Sequence, residues 1–132
     1  MASNENVDLV RRFYDEAINK RDETACERLL SGDFVHNGEF RGTEGQQKAV
    51  DAFLNAFPDL KNSVHMTVAE GDKVAAHQRW KGTHHGSFLG FEPTGKKVEF
   101  TSTAILQIHD GRIAQAWDEV DLLGLSLQLR DG

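Results

Sequence analysis

The sequence predicts an α+β fold, a cone-shaped barrel in which a curved antiparallel sheet wraps around N-terminal helices. Three observations predict it. Before Pro58 the apolar residues recur at helical spacing, and after it they alternate. The alternating stretches are separated by turn signals, of which Asp110-Gly111 is the sharpest. Helices at one end of the chain and antiparallel strands at the other define the class. Helices on the concave side of a long curved sheet cannot fill its wide mouth, so the cone encloses an apolar cavity.

The elements follow in order. Val7, Val10, Phe13, Tyr14, Ala17 and Ile18 share one helical face, which predicts a helix over about residues 4–20, with Ser3, Asn4 and Asn6 as candidate N-caps. Asp22 is placed to cap a second, short helix carrying Leu29 and Leu30, which Ser31-Gly32 stops. "DFVHNGEFRG" reads as a short strand and a turn. Thr43 to Gln46, "TEGQ", has capping-box form and launches a third helix with Val50, Phe53, Leu54 and Phe57 on one face. Pro58 ends it, because the ring disfavours helical backbone at the preceding residue. Val64, Met66 and Val68 then alternate with polar or small residues, "EGDK" turns the chain, and "VAAHQRWKGTH" and "VEFTSTAILQIH" are two more strands. "DGR" marks a tight hairpin into a last strand beginning at Ile113. The leucine-rich tail packs as a short turn or helix. No repeat, linker or low-complexity segment interrupts residues 1–132, which read as one domain.

Composition narrows the function. The formal charge of −6 is poorly suited to a phosphate backbone, where affinity comes largely from Lys and Arg, and no basic run overrides it. Nucleic acid is therefore not an expected partner. No segment approaches the roughly 18 apolar residues of a membrane span, and "MASNENVDLV" lacks the pattern of a signal peptide. The expectation is a cytoplasmic protein without membrane association. The single cysteine, Cys26, excludes an intrachain disulfide and reads as a packed helix residue.

The candidate chemistry concentrates in "AWDEVD". Along a strand, Asp118 and Val120 share a face with Ala114 and Ala116, while Trp117, Glu119 and Asp121 share the other with Ile113. Small neighbours leave room for a ligand, so Asp118 is the expected inward acid unless a bulge reverses the parity. Of six histidines, His84 in "GTHHGSFLG" is the strongest candidate, where a strand enters a loop at the cavity mouth; His36 comes second. There is no HExxH and no His/Cys cluster at ligand spacing, so no metal is expected. Neither GxGxxG, a P-loop nor GxSxG is present, so no nucleotide cofactor and no serine nucleophile is expected. Trp80, Phe88, Phe91, Phe100 and Leu106 are candidate flat, apolar walls.

Phe57-Pro58-Asp59-Leu60, Gly82-Thr83-His84 with Gly86, Pro93-Thr94-Gly95, and the closing strand with Trp117-Asp118 together resemble the SnoaL-like polyketide cyclases. That family belongs to the nuclear-transport-factor-2-like superfamily of cone-shaped folds, and the resemblance covers nearly the whole chain. It implies a cofactor-free intramolecular aldol condensation that closes the last ring of an aromatic polyketide in antibiotic biosynthesis. It also implies an aspartate on the last strand as general acid/base, and alignment through "DGRI" places that role on Asp118. Where the cyclases carry a histidine on the preceding strand, this chain has Ala104, which cannot donate a hydrogen bond. A partner for the substrate carbonyl is then sought among His84, Gln107, His77 and His36. Trp80, Phe88, Phe100 and Asp121 complete the expected substrate contacts, the substrate being an apolar polycyclic molecule. The same fold also implies alternatives: polyketide hydroxylation, ketone isomerisation, or a non-catalytic dimer that binds a small ligand. Val, Ile and Trp side chains on the outer sheet face further predict a homodimer.

Overall fold

The computed structural model describes residues 2–131. Helix α1 (Ala2–Tyr14) carries the expected apolar face, with Val10, Phe13 and Tyr14 buried. It already runs through Ser3, Asn4 and Asn6, so none of the three caps it. The helix does not continue regularly to residue 20. It widens after Tyr14 into a π turn, Asp15–Asn19, closed by the Lys20 N–H donating to the Asp15 carbonyl at 2.9 Å. Helix α2 (Ala25–Leu29) starts two residues later than a cap at Asp22 would place it. The Asp22 carboxylate accepts from the Thr24 N–H at 2.9 Å and the Thr24 hydroxyl at 2.7 Å, so it shapes the turn before the helix. Leu30 to Gly32 do not stop that helix but open strand β1 (Leu30–His36). Cys26 is buried in α2, and burial, with the Asp51 charge adding to it, pushes its thiol up to about 12.

Asn37-Gly38, both at positive φ (49° and 83°), turn β1 into β2 (Glu39–Phe40) in two residues. Helix α3 (Gly42–Ala56) begins one residue before Thr43, and its N-cap position, Arg41, makes no side-chain cap bond. The expected capping box over Thr43–Gln46 therefore does not form. The Phe57 N–H closes the last turn on the Phe53 carbonyl at 2.8 Å, and Pro58 follows.

Four long strands complete the sheet: β3 (Lys61–Glu70), β4 (Lys73–Thr83), β5 (Lys97–His109) and β6 (Arg112–Val120). The six strands lie in the order β2-β1-β6-β5-β4-β3, antiparallel except for the β1–β6 pair, which is parallel. Val74, Ala76 and Gln78 of β4 and Val98, Phe100, Ser102, Ala104 and Leu106 of β5 are buried on the inner face. The apolar ones form one core with Val10, Phe13, Ala17, Ile18 and Val50 of the helical layer. Helix α4 (Leu122–Arg130), the leucine-rich tail, packs Leu125 and Leu129 inward.

One strand departs from simple alternation where it matters. Ile108 pairs with Ile113 but Gln107 pairs with Gln115, so β6 bulges by one residue near Ala114. Ile113, expected on the outer face with Trp117, is instead fully buried, while Trp117 stays outside. Beyond the bulge the alternation resumes, and Ala116, Asp118 and Val120 turn toward the cavity.

Candidate active site

The mouth of the cone holds a cavity of about 480 Å³ between α1, α3 and the inner sheet face. That is within the usual range for small-molecule sites. Trp80 and Phe100 stack with planes 2° apart and centroids at 6.0 Å, and Phe53 stacks on Trp80 at 6.4 Å. Trp80 is held in place by its Nε1 donating to the Ser102 hydroxyl at 2.8 Å. Phe88 packs on Phe53 and Phe57 at 5.1 and 5.3 Å. Phe13, Phe34, Leu106 and Ile113 complete an apolar lining. A second hollow, of about 500 Å³, is lined largely by Lys61, Arg79, Lys81, Glu99 and Asp121, all exposed charged side chains.

Among the apolar walls stand a few polar groups. Asp118 sits opposite Ala104 on β5. Its Oδ2 lies 3.6 Å from His36 Nε2, and its Oδ1 is buried with no hydrogen-bond partner. An unpartnered buried carboxylate oxygen is costly, and it belongs to a side chain that lines the cavity. The backbone of Asp118 is clamped by Asn37, whose Oδ1 accepts from the Asp118 N–H at 2.7 Å while its Nδ2 donates to the Asp118 carbonyl at 3.1 Å. The positive φ of Asn37 in the β1–β2 turn brings its side chain to the end of β6, a tertiary contact that a local turn signal does not announce.

Tyr14 also lines the cavity, edge-on to Trp80 at 6.2 Å. Burial, with the Asp118 charge adding to it, pushes the Tyr14 hydroxyl far above its ordinary range, while Gln78 pulls the other way. Tyr14 therefore stays protonated at neutral pH and can only offer a proton or accept a hydrogen bond. In the sequence it is one more apolar position on the α1 face, which is why its polar end escapes notice.

Of the residues expected at the site, Asp118, His36, Trp80, Phe88 and Phe100 come together around the cavity. His84, His77, Gln107 and Asp121 do not line it. His84 is wholly buried behind Phe57, and its Nδ1 accepts from the Thr94 N–H at 3.1 Å, with the Thr94 hydroxyl at 3.0 Å. That bond puts the ring proton on Nε2, which is itself buried and unpartnered. His84 pins the β4–β5 loop and does not reach the cavity. His77 faces outward, 2.7 Å from the Thr103 hydroxyl and edge-on to His65. Gln107 donates to Asp72 at 2.9 Å at the β3–β4 turn. The Asp121 carboxylate accepts from the Gly124 N–H at 2.9 Å and so caps α4. Phe91 pairs with Phe88 in the loop without lining the cavity.

The cavity, its apolar walls and the inward aspartate define a class of small-molecule enzyme on a cone-shaped α+β fold. The family model described as SnoaL-like polyketide cyclase matches residues 8–129, and the chain belongs to that family. It is 34% identical over 130 residues to the aklanonic acid methyl ester cyclase DnrD of Streptomyces peucetius, an alignment covering 93% of this chain and 89% of that one. Among solved structures, TsrD from Streptomyces laurentii matches with a TM-score of 0.88 at 31% identity over 96% of each chain. AclR from Streptomyces galilaeus, provisionally named a hydroxylase, matches with a TM-score of 0.85 at 29% identity over 96% of each chain.

Proposed function

We propose that this protein closes a ring in an aromatic polyketide methyl ester by intramolecular aldol condensation, without a cofactor, and works as a cytoplasmic homodimer. The observation that carries the chemistry is Asp118: a carboxylate lining an apolar cavity, with Oδ1 buried and unpartnered and Oδ2 beside His36. A carbon flanked by carbonyl groups gives up a proton readily, because its carbanion is delocalised as an enolate. Asp118 takes that proton, and the enolate carbon attacks a ketone carbonyl of the same molecule. A carbon–carbon bond forms, the ketone π bond becomes an alkoxide, and the proton held by Asp118 returns to that oxygen. Proton inventory balances, and no redox partner is needed.

The aromatic walls hold the substrate folded so that the reacting carbons meet, which supplies much of the rate. Ala104 offers nothing to the substrate carbonyl, whereas Tyr14 and His36 both line the cavity and carry groups able to donate a hydrogen bond. Ring closure is tested with aklanonic acid methyl ester, the compound in the relative's name. Asp118→Asn should lower turnover by about 10²–10⁴-fold with substrate binding kept. Undiminished turnover in that variant would sink the assignment. A second reading, hydroxylation on the same scaffold, is favoured by Ala104 and by the likeness to AclR. Incorporation of an oxygen atom into the product, read by mass spectrometry, separates the two.

A further inference from the structure

Among the described residues, three two-residue turns have positive φ at both central positions, as a type I′ turn requires. Asn37-Gly38 joins β1 to β2 (49° and 83°), Asp110-Gly111 joins β5 to β6 (50° and 74°), and Leu89-Gly90 lies in the β4–β5 loop (51° and 80°). The third is closed by two hydrogen bonds, the Phe88 N–H donating to the Phe91 carbonyl at 3.0 Å and the Phe91 N–H to the Phe88 carbonyl at 2.9 Å. Asn and Asp are the expected first residues of such a turn, because a short polar side chain can bond locally in the left-handed region. Leucine has no such compensation, and its Cβ crowds the following carbonyl.

Neither hydrogen bonding nor core packing accounts for Leu89. Arg21, the other non-glycine residue at positive φ, has a guanidinium that donates to the Pro58 and Leu60 carbonyls at 2.6 and 2.8 Å. Leu89 has no polar side-chain atom, and it is 46% exposed, whereas Phe88 and Phe91 on either side of the turn pack against the core. The turn is held from its flank: Phe88 packs on Phe53 and Phe57, and the Gly86 N–H donates to the Ala56 carbonyl at 3.1 Å. Nine large apolar side chains are exposed among the described residues, and of these Leu89 and Leu122 line the cavity. Backbone strain that the surroundings hold in place gathers at ligand clamps.

We infer that Leu89 is a specificity-determining residue: the strained turn keeps an apolar side chain at the cavity, where a bound polycyclic ligand covers it. Asn or Asp in its place would relax the backbone, as in the other two turns. It would also set a polar group against an apolar ring face, where its lost hydration goes uncompensated. Leucine therefore gives up stability in the empty protein and returns it as affinity once its exposed surface is covered. The inference deepens the ring-closure reading, and rests on it for the identity of the substrate alone.

Leu89→Asn discriminates, because it should move fold and site in opposite directions. The midpoint of thermal unfolding should rise by about 3–6 °C as the strain is relieved. Affinity for pyrene, a flat four-ring aromatic probe read by its fluorescence, should fall about five- to tenfold, as expected for leaving half a leucine uncovered. KM for aklanonic acid methyl ester should rise by a similar factor at little change in kcat. Leu89→Met keeps both the apolar contact and the strain, so midpoint and affinity should stay near those of the parent. Leu123→Asn removes a leucine that is 72% exposed and does not line the cavity, and should leave pyrene affinity unchanged. Pyrene bound by Leu89→Asn as tightly as by the parent overturns the inference, as does a parent that binds neither pyrene nor the ester. A midpoint that fails to rise shows that the turn holds no strain and overturns it too. Weaker pyrene binding and a raised midpoint, in a protein whose parent never turns over the ester, support the role of Leu89 and count against the ring-closure reading alone.

Discussion

Asp118 and Asp121 lie three positions apart at the end of β6 and do different jobs. Asp118 leaves an oxygen unpartnered in an apolar space, whereas Asp121 spends its carboxylate on the first turn of α4. Removing the charge from Asp118 should leave stability unchanged or raise it, since a neutral amide is easier to bury than a carboxylate. Asp121→Ala should do the reverse. It should cost about 0.5–2 kcal/mol of stability, the usual worth of an N-cap, with turnover preserved. Urea titration beside a steady-state assay distinguishes the pair. A large loss of turnover in Asp121→Ala would mean that α4 closes the cavity as well as following it.

At the scale of elements, three of the four motifs that carry the resemblance build a joint beside the cavity and leave the reacting group to the fourth, Trp117-Asp118. Asp59 accepts from the Thr83 N–H at 2.6 Å and the Thr83 hydroxyl at 2.7 Å. His84 takes the Thr94 N–H, and the His85 and Gly86 N–H groups both donate to the Ala56 carbonyl, at 2.9 and 3.1 Å. These bonds tie the end of α3, the end of β4 and the loop carrying Phe88 and Leu89 into one unit. Gly86 sits where a side chain would collide with the Asn55 carbonyl and with the backbone of Ala56. Gly86→Ala should therefore cost about 1–3 kcal/mol, as overpacking does, and loosen the Phe88 wall. A lower midpoint in thermal unfolding and weaker binding of a polycyclic probe would accompany each other. A variant as stable as the parent would show that the loop yields freely.

The whole molecule exposes an apolar row on its outer sheet face. Val68, Ala75, Ile105 and Trp117 pair directly across four strands, and Val68, Ile105 and Trp117 are 66%, 43% and 39% exposed. Side chains directly opposite in adjacent strands share a face, so these form one continuous stripe. Such a stripe supports a homodimer. Ile105→Glu should give a monomer by light scattering at micromolar concentration while leaving the cavity lining untouched. A parent protein that is already monomeric there would refute the proposal. Stability should also fall in acid. Hydrogen bonds and ion pairs hold Glu16, Asp22, Asp59 and Asp72 below the ordinary carboxylate range. Carboxylates lowered on folding stabilise above their unfolded values, near 4, and lose that contribution as the pH drops further. Unfolding midpoints measured from pH 6 down to pH 3 should stay level and then decline below about pH 4.

The sequence by itself determined the class of fold, the order of its elements, the family and the inward aspartate. Each of these is written in local periods: 3.6 before Pro58, 2 after it, and small residues flanking Asp118. It also marked the aromatic walls, because flat apolar side chains on the inner positions of β4 and β5 have few other places to go. Only the tertiary structure decided which polar groups meet Asp118. His84 is expected at the cavity mouth and is instead buried against Phe57, because the loop folds back onto α3. Ile113 changed faces because one extra residue near Ala114 shifts the pairing, and a bulge is invisible to a strict period of two. Tyr14, Asn37, Asn62 and Gln78 are scattered over four elements, up to 64 positions apart between Tyr14 and Gln78. What ties Asn37 to the Asp118 backbone, and Asn62 to Gln78, is hydrogen bonding between elements, where a side-chain amide taken out of water must find its partner on another strand or turn.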